Sequence, residues 1–257
     1  MTEHDETDQH DLDEGPGATD ELATAHVIDV LRSGDVQIVG RMPWSSNATF
    51  LVELCDGDTT QRAIYKPLRG ERPLWDFPPG IHRREVAAFH LSHALGWDLA
   101  PPTVERDDAP IGPGSMQAFV EHDPDRHYFV LVEEADDELR AQLQRLCVFD
   151  LVSNQADRKS GHCVVDRLGR LHALDNGLSF HAEAKLRTVI WDFAGEPIPS
   201  PVLNDVADFV DAELPPELCG LLTGSELDAL VRRARSVVDA GVFPTDDTGR
   251  RWPWPLV

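Results

Sequence analysis

Apolar positions recur in short alternating runs through the first half of the chain and at helical spacing through much of the second, so the pattern predicts an α+β protein. Residues 21–31 set Leu22, Ala25, Val27, Ile28 and Leu31 on one helical face and stop at Ser33-Gly34. Strands are expected at 36–40, 48–54 and 61–67, the last ended by Pro67, which cannot extend a sheet. A helix over 81–95 groups Val86, Ala87, Leu91, Ala94 and Leu95 and closes at Gly96. Two further strands are predicted at 101–106 and 114–121, followed by a charged, irregular stretch over 122–137. A long helix over 138–154 becomes apolar all round at its C-terminal end, which signals burial, yet it carries Asp150 there. A carboxylate in such surroundings requires partners, and the loop that follows is where they are expected. Residues 163–174 form a hairpin, residues beyond 181 a long loop, and helices follow near 204–213, 215–222 and 225–240, with Trp252-Pro-Trp-Pro packed on the larger lobe.

Composition sharpens this picture in three ways. A chain of 257 residues, 41% of them hydrophobic, can build one large domain or two lobes around a cleft. The net charge is -23, and the first twenty residues hold eight acids and no Lys or Arg, so residues 1–20 are expected to be a disordered acidic leader. That acidity opposes charge-driven binding to nucleic acid or an anionic membrane. With no apolar run long enough to span a bilayer and an acidic N-terminus unlike a signal peptide, the expected location is the cytoplasm, without stable membrane association. Cys55, Cys147, Cys163 and Cys219 are widely spaced and read as buried free thiols. Only Lys66, Lys159 and Lys185 among 23 basic residues are lysines; where a generic charge is otherwise always Arg, a Lys reads as a selected point charge.

The chemistry concentrates in Asp157-Arg158-Lys159-Ser160-Gly161-His162 and, thirteen residues beyond His162, Asp175-Asn176-Gly177. Two acids, a cation and an imidazole on two tight loops joined by a hairpin are the equipment of phosphoryl transfer. Ser45-Ser46-Asn47 between two strands is by itself a turn, and Glu85 in a first helical turn is also ordinary helix-dipole chemistry.

Asp157-Arg158 with His162, then Leu174-Asp175-Asn176-Gly177-Leu178-Ser179-Phe180, together with Ile64-Tyr65-Lys66-Pro67 and the strand Gly114-Ser115-Met116-Gln117-Ala118-Phe119-Val120-Glu121, resemble the phosphatidylinositol 3- and 4-kinase superfamily. The likeness is greatest to type II phosphatidylinositol 4-kinases and more distant to HipA-type kinases, and the chain also resembles an actinobacterial family with distant kinase similarity. It covers roughly residues 36–195. It implies a two-lobed protein-kinase-like fold, with a β-rich N-lobe over 21–122 and a helical C-lobe over 123–257. It implies ATP with Mg2+ or Mn2+ as cofactors. It gives Asp157 the role of catalytic acid-base and puts Lys159 on the transferred phosphoryl group. Lys66, paired with Glu85, is then on the α- and β-phosphates, with Ser45, Ser46 and Asn47 in the phosphate loop. Phe119, Val120 and Glu121 line the adenine slot, and Asp175 with His162 hold the metal. The family pattern has Asn where this chain has His162; imidazole ligates Mg2+ poorly and Mn2+ more readily. The expected activity is γ-phosphoryl transfer from ATP to a hydroxyl. The chain lacks the cysteine-rich segment of type II lipid kinases, so a protein or small-molecule acceptor is expected over a phosphoinositide. The alternatives are a non-catalytic ATP-binding module and an AMP transferase on the same fold.

Overall fold

A computed structural model describes residues 16–43, 45, 47–57 and 59–256. Five antiparallel strands form one sheet in the order β1-β2-β3-β5-β4: β1 (Asp35–Arg41), β2 (Phe50–Asp56), β3 (Thr59–Pro67), β4 (Thr103–Arg106) and β5 (Gly114–Ala118). Strand alternation turns Val52, Leu54, Ala63, Tyr65, Val104 and Met116 to one face, where Val30 and Leu31 of helix α1 (Pro16–Ser33) complete a small core. Lys66, one residue on from Tyr65, therefore points to the opposite face. Its strand end is fixed by a close approach: a Cβ on Gly114 would lie 2.4 Å from the Lys66 carbonyl oxygen.

Helix α2 (Ile81–Ala94) lies on that opposite face and belongs to a second, larger core. There Ala87, Phe89 and Leu91 meet helix α4 (Asp137–Ser153), whose Leu143, Leu146, Val148, Phe149 and Val152 are all buried. The hairpin β6 (Cys163–Val165) and β7 (Leu171–Ala173), and helices α5 (Ser200–Asp211), α6 (Pro216–Leu221) and α7 (Gly224–Ala240), complete this helical lobe. α7 starts at a Thr223/Glu226 capping box and stops at Gly241 in the left-handed region. The result is a small β lobe over a helical lobe, the two-lobed fold expected above.

Several boundaries differ from expectation. α1 begins at Pro16, inside the stretch expected to be a disordered leader; residues 1–15 lie outside the described residues. Helix α3 (Tyr128–Glu134) occupies part of the stretch expected to be irregular, because Tyr128 and Leu131, three apart, are both buried. β5 stops at Ala118, so Phe119, Val120 and Glu121 follow the strand instead of ending it. α5 starts four residues early because Pro201 sits in its first turn, where proline's missing N–H costs nothing. Of the free cysteines, Cys147 and Cys163 are buried as expected, whereas Cys55 is partly exposed and Cys219 exposed. Among the described residues no helix is long and apolar enough to cross a membrane.

Candidate active site

The loop after α4 is organised by Arg158, whose guanidinium has no exposed surface. It donates to Asp150 (2.9 Å from Nη2 to Oδ1), to the Leu174 carbonyl (2.5 Å) and to Asn176 Oδ1 (2.7 Å), while Thr188 Oγ1 donates to the other Asp150 oxygen at 3.0 Å. Burial pushes the Asp150 carboxyl up, and Arg158 with Thr188 counters it. The buried acid anticipated in α4 thus finds its partners on the following loop, and one cation joins that loop to the Asp175 turn. Gln155 makes a second joint: its side-chain carbonyl accepts the Asp157 N–H at 3.0 Å and its amide donates to the Asp175 carbonyl at 3.2 Å.

Asp175 has a φ of 55°, a left-handed conformation that Asp tolerates better than most residues. The turn aims its carboxylate at Lys66, whose ammonium donates to Asp175 Oδ1 at 2.7 Å and also to Glu85. Glu85 in turn accepts the Asn176 N–H at 3.0 Å. Gly177 lets the turn press against α2: a Cβ there would sit 2.3 Å from Ile81 Cγ2. Lys66, Glu85 and Asp175, separated by up to 109 positions, therefore form one charge cluster across the two lobes. Burial opposes the Lys66 charge, but Asp175 and Glu85 outweigh it and hold its pKa above the ordinary lysine value. Lys66 holds the half-exposed Asp175 well below the carboxylate range, whereas burial raises Glu85 against the same lysine.

His162 lies with Nε2 3.6 Å from Asp175 Oδ2, and its Nδ1 faces the Lys159 N–H at 3.4 Å. Burial holds the imidazole down to about 4 despite Asp175, so it is neutral at neutral pH. With Nδ1 accepting, the ring proton is on Nε2 and points to Asp175. Ligation of a metal through Nε2 requires the other tautomer. Lys159 Nζ is 3.3 Å from Asp157 Oδ2. Burial raises the Asp157 pKa against Lys159, and the Asp175 charge adds to the rise, so this carboxylate is more basic than a free one.

The remaining expected site residues fall into two groups. Ser45 Oγ shares a hydrogen bond with Thr49 Oγ1 (2.7 Å), bracing its own turn, and Asn47 Oδ1 accepts the Arg72 N–H (3.0 Å), tying that turn to the loop after β3; Ser46 lies outside the described residues. Phe119 and Glu121 line a cleft of about 610 Å³ together with His122, Val165 and Arg167, whereas Val120 is not part of its lining. Arg62 stacks 5.0 Å from the Phe119 ring centre and pairs with Glu121, which Arg167 also holds at 3.0 Å. The Val120 carbonyl meets His122 Nδ1 at 2.9 Å. Gln155, Asn154 and Thr188 were not anticipated. Polar residues directly beside the Asp157 motif were the only signal for the first two, and Thr188 carried none.

Asp175 offers a hard oxygen donor on a half-exposed side chain, and among the described residues no group of three or more His, Cys, Asp or Glu side chains gathers to form a complete metal cage. Such a donor set fits a divalent cation that takes one or two protein ligands and fills its shell with phosphate oxygens and water.

A lysine–glutamate pair joins sheet to helix, with two acidic loops below, in a two-lobed protein-kinase-like fold, and solved structures agree on that fold. Hydra Fam20, determined with sugar, matches over 86% of this chain and 88% of its own at a TM-score of 0.59 and 18% identity. The Golgi casein kinase with Mn/ADP bound matches over 92% and 81% at 0.56 and 14%. The proinflammatory kinase CtkA of Helicobacter pylori matches over 83% and 94% at 0.52 and 9%. The chain is also 38% identical over 264 positions to protein Rv2133c of Mycobacterium tuberculosis (strain ATCC 25618 / H37Rv), covering 88% of this chain and 94% of that one, and it belongs to the family of Rv2133c. No protein-family profile matches it. These comparisons carry the kinase-like fold and not a special closeness to type II phosphatidylinositol 4-kinases.

Proposed function

We propose that this protein is an ATP-dependent kinase that transfers the γ-phosphoryl group to a hydroxyl on a protein or small molecule. The observation that carries the reading is the Lys66 ammonium shared between Glu85 on α2 and Asp175 on the turn that Arg158 ties to Asp157. In this reading Asp157 orients the acceptor hydroxyl and takes its proton, which the raised basicity of its carboxylate favours. Lys159 lies beside it to neutralise charge on the phosphoryl group in flight, and Lys66 contacts the α- and β-phosphates. The turn at 45–47 acts through backbone N–H groups, since the Ser45 and Asn47 side chains are engaged. The base enters the cleft beside Phe119 and Glu121, with the lobes meeting at 119–123. Asp175 would hold Mg2+ or Mn2+ with His162 alongside, and the cation would supply charge neutralisation between the phosphates. The resemblance of the Asp157 and Asp175 motifs to phosphatidylinositol kinases, and the two kinases among the structural neighbours, the Golgi casein kinase with Mn/ADP bound and CtkA, support phosphoryl transfer. The net charge of -23 favours a soluble acceptor over one in an anionic membrane.

A second reading, an ATP-binding module that regulates a partner without turnover, draws on His162, whose Nε2 faces Asp175 at the position where the phosphatidylinositol kinase pattern it resembles has Asn. Incubation with ATP labelled separately at the α- and γ-phosphates distinguishes the readings. The kinase reading expects ADP or γ-label transfer that Asp157→Ala abolishes. Transfer of α-label would mean adenylylation, and tight binding with neither product would favour the regulatory module.

A further inference from the structure

The third lysine of the chain lies beside the loop that carries Asp157 and Lys159. The segment carrying Lys185 and Arg187 runs alongside residues 154–158: the Lys185 N–H donates to Asn154 Oδ1 (2.9 Å), the Arg187 N–H to the Gln155 carbonyl (2.9 Å), and the Arg158 N–H to the Arg187 carbonyl (3.0 Å). Two residues apart on this extended stretch, both cations reach the same carboxylate, Asp76, at 3.9 Å and 3.6 Å. Lys185 is also 3.6 Å from Glu183. None of these contacts is a hydrogen bond. The Lys185 side chain is 18% exposed and that of Arg187 42%, and among the described residues neither the ammonium nor the guanidinium donates to an acceptor. Their donors are therefore open to water or to a bound anion. Next to Asp76 stands Trp75, 95% exposed, with Lys185 Nζ 6.0 Å from its ring centre. A fully presented indole thus stands beside two cations that the carboxylates of Asp76 and Glu183 balance without hydrogen-bonding them.

We propose that Trp75, Lys185 and Arg187 form the acceptor subsite, and that the acceptor carries an anionic group, phosphate or carboxylate, on a body flat enough to stack on the indole. The inference rests on the reading of Asp157 as the acceptor-side base, because the segment is bonded to the residues on either side of Asp157. Lys185 would bind the anion as a point charge and Arg187 through its planar fork, with Asp76 released from both. The acceptor hydroxyl would then face Asp157.

Calorimetric titration of the full chain with phenyl phosphate, benzoate and phenol tests this, with ATP affinity measured on the same preparations. The expected result is saturable binding of at least one anion, with phenol weaker by roughly tenfold or more. Lys185→Ala, Arg187→Ala and Trp75→Ala should each weaken that binding by a similar factor. Trp75→Ala changes a side chain that supports no packing, so its result does not depend on tolerance of the other two. Phenyl phosphate bound better than benzoate would assign the anion as phosphate, and the reverse as carboxylate. The proposal is overturned if neither anion binds, if phenol binds as well, or if the three variants leave the affinity unchanged. ATP binding without anion binding would remove the subsite and spare the kinase reading; anion binding without ATP binding would do the opposite.

Discussion

Arg158 and Asp150 show what a single buried pair does in this molecule. Both side chains have no exposure, so removing one partner leaves the other charged or unsatisfied in the core. Asp150→Ala is expected to cost about 3–5 kcal/mol in urea unfolding, while the double replacement Asp150→Leu with Arg158→Met should cost clearly less than the sum of the singles. Equal additive losses would mean the pair is not the joint described. Asp166, in the lining of the cleft between Val165 and Arg167, offers a pH test. Burial pushes its carboxyl up, but the N–H groups of Arg170 and Leu168 and the side chains of His172 and Arg170 outweigh this and hold it down to about 2. A depressed carboxylate contributes stability that is complete above its unfolded value of 3.8 and is lost as pH falls through about 2. Thermal melts should therefore fall more steeply over that window for the wild type than for Asp166→Asn. Asp150 in an apolar run was legible as a residue needing a partner on the next loop, because both lie close in sequence. The pairing of Arg62 with Glu121, 59 positions apart and set by strand order, was not.

Helix α2 is the element on which the cleft depends. Its Glu85 reaches Lys66 and Asn176 on one side, while Arg84 pairs with Glu226 of α7 and Arg83 donates to the Gly220 carbonyl at 2.5 Å on the other. The α2 contact to Lys66 is thus held from the helical lobe as well as from the sheet. Arg84→Met should loosen this anchorage, seen as faster amide exchange across α2 and a several-fold weaker ATP affinity with the fold intact. Unchanged exchange would mean α2 is fixed by packing alone. Gly177→Ala tests the same contact sterically: Ile81 must yield by more than an ångström, so a loss of about 1–3 kcal/mol is expected. α2 itself was readable from its apolar spacing. Its tie to α7 was not, since Arg84 and Glu226 are 142 positions apart and each reads alone as surface charge. α3 escaped notice because its short apolar run sits between acidic stretches and registers only once Tyr128 and Leu131 are seen buried.

At the scale of the whole molecule, charges from both lobes converge where sheet, α2 and the two acidic loops meet. All three lysines of the chain stand on this side of the fold, two of them in direct contact with Asp157 or Asp175 and the third on the segment bonded to the Asp157 loop. In the proposed kinase Asp157 does the chemistry and Asp175 holds the metal-nucleotide complex. ATP affinity and turnover measured side by side for Asp157→Asn and Asp175→Asn, across a range of Mg2+ and Mn2+ concentrations, test that division most directly. The predicted result is that Asp157→Asn binds ATP as the wild type does yet loses turnover by roughly a hundredfold or more. Asp175→Asn should lose the cation dependence of ATP binding as well. Turnover that survives both substitutions would contradict the account.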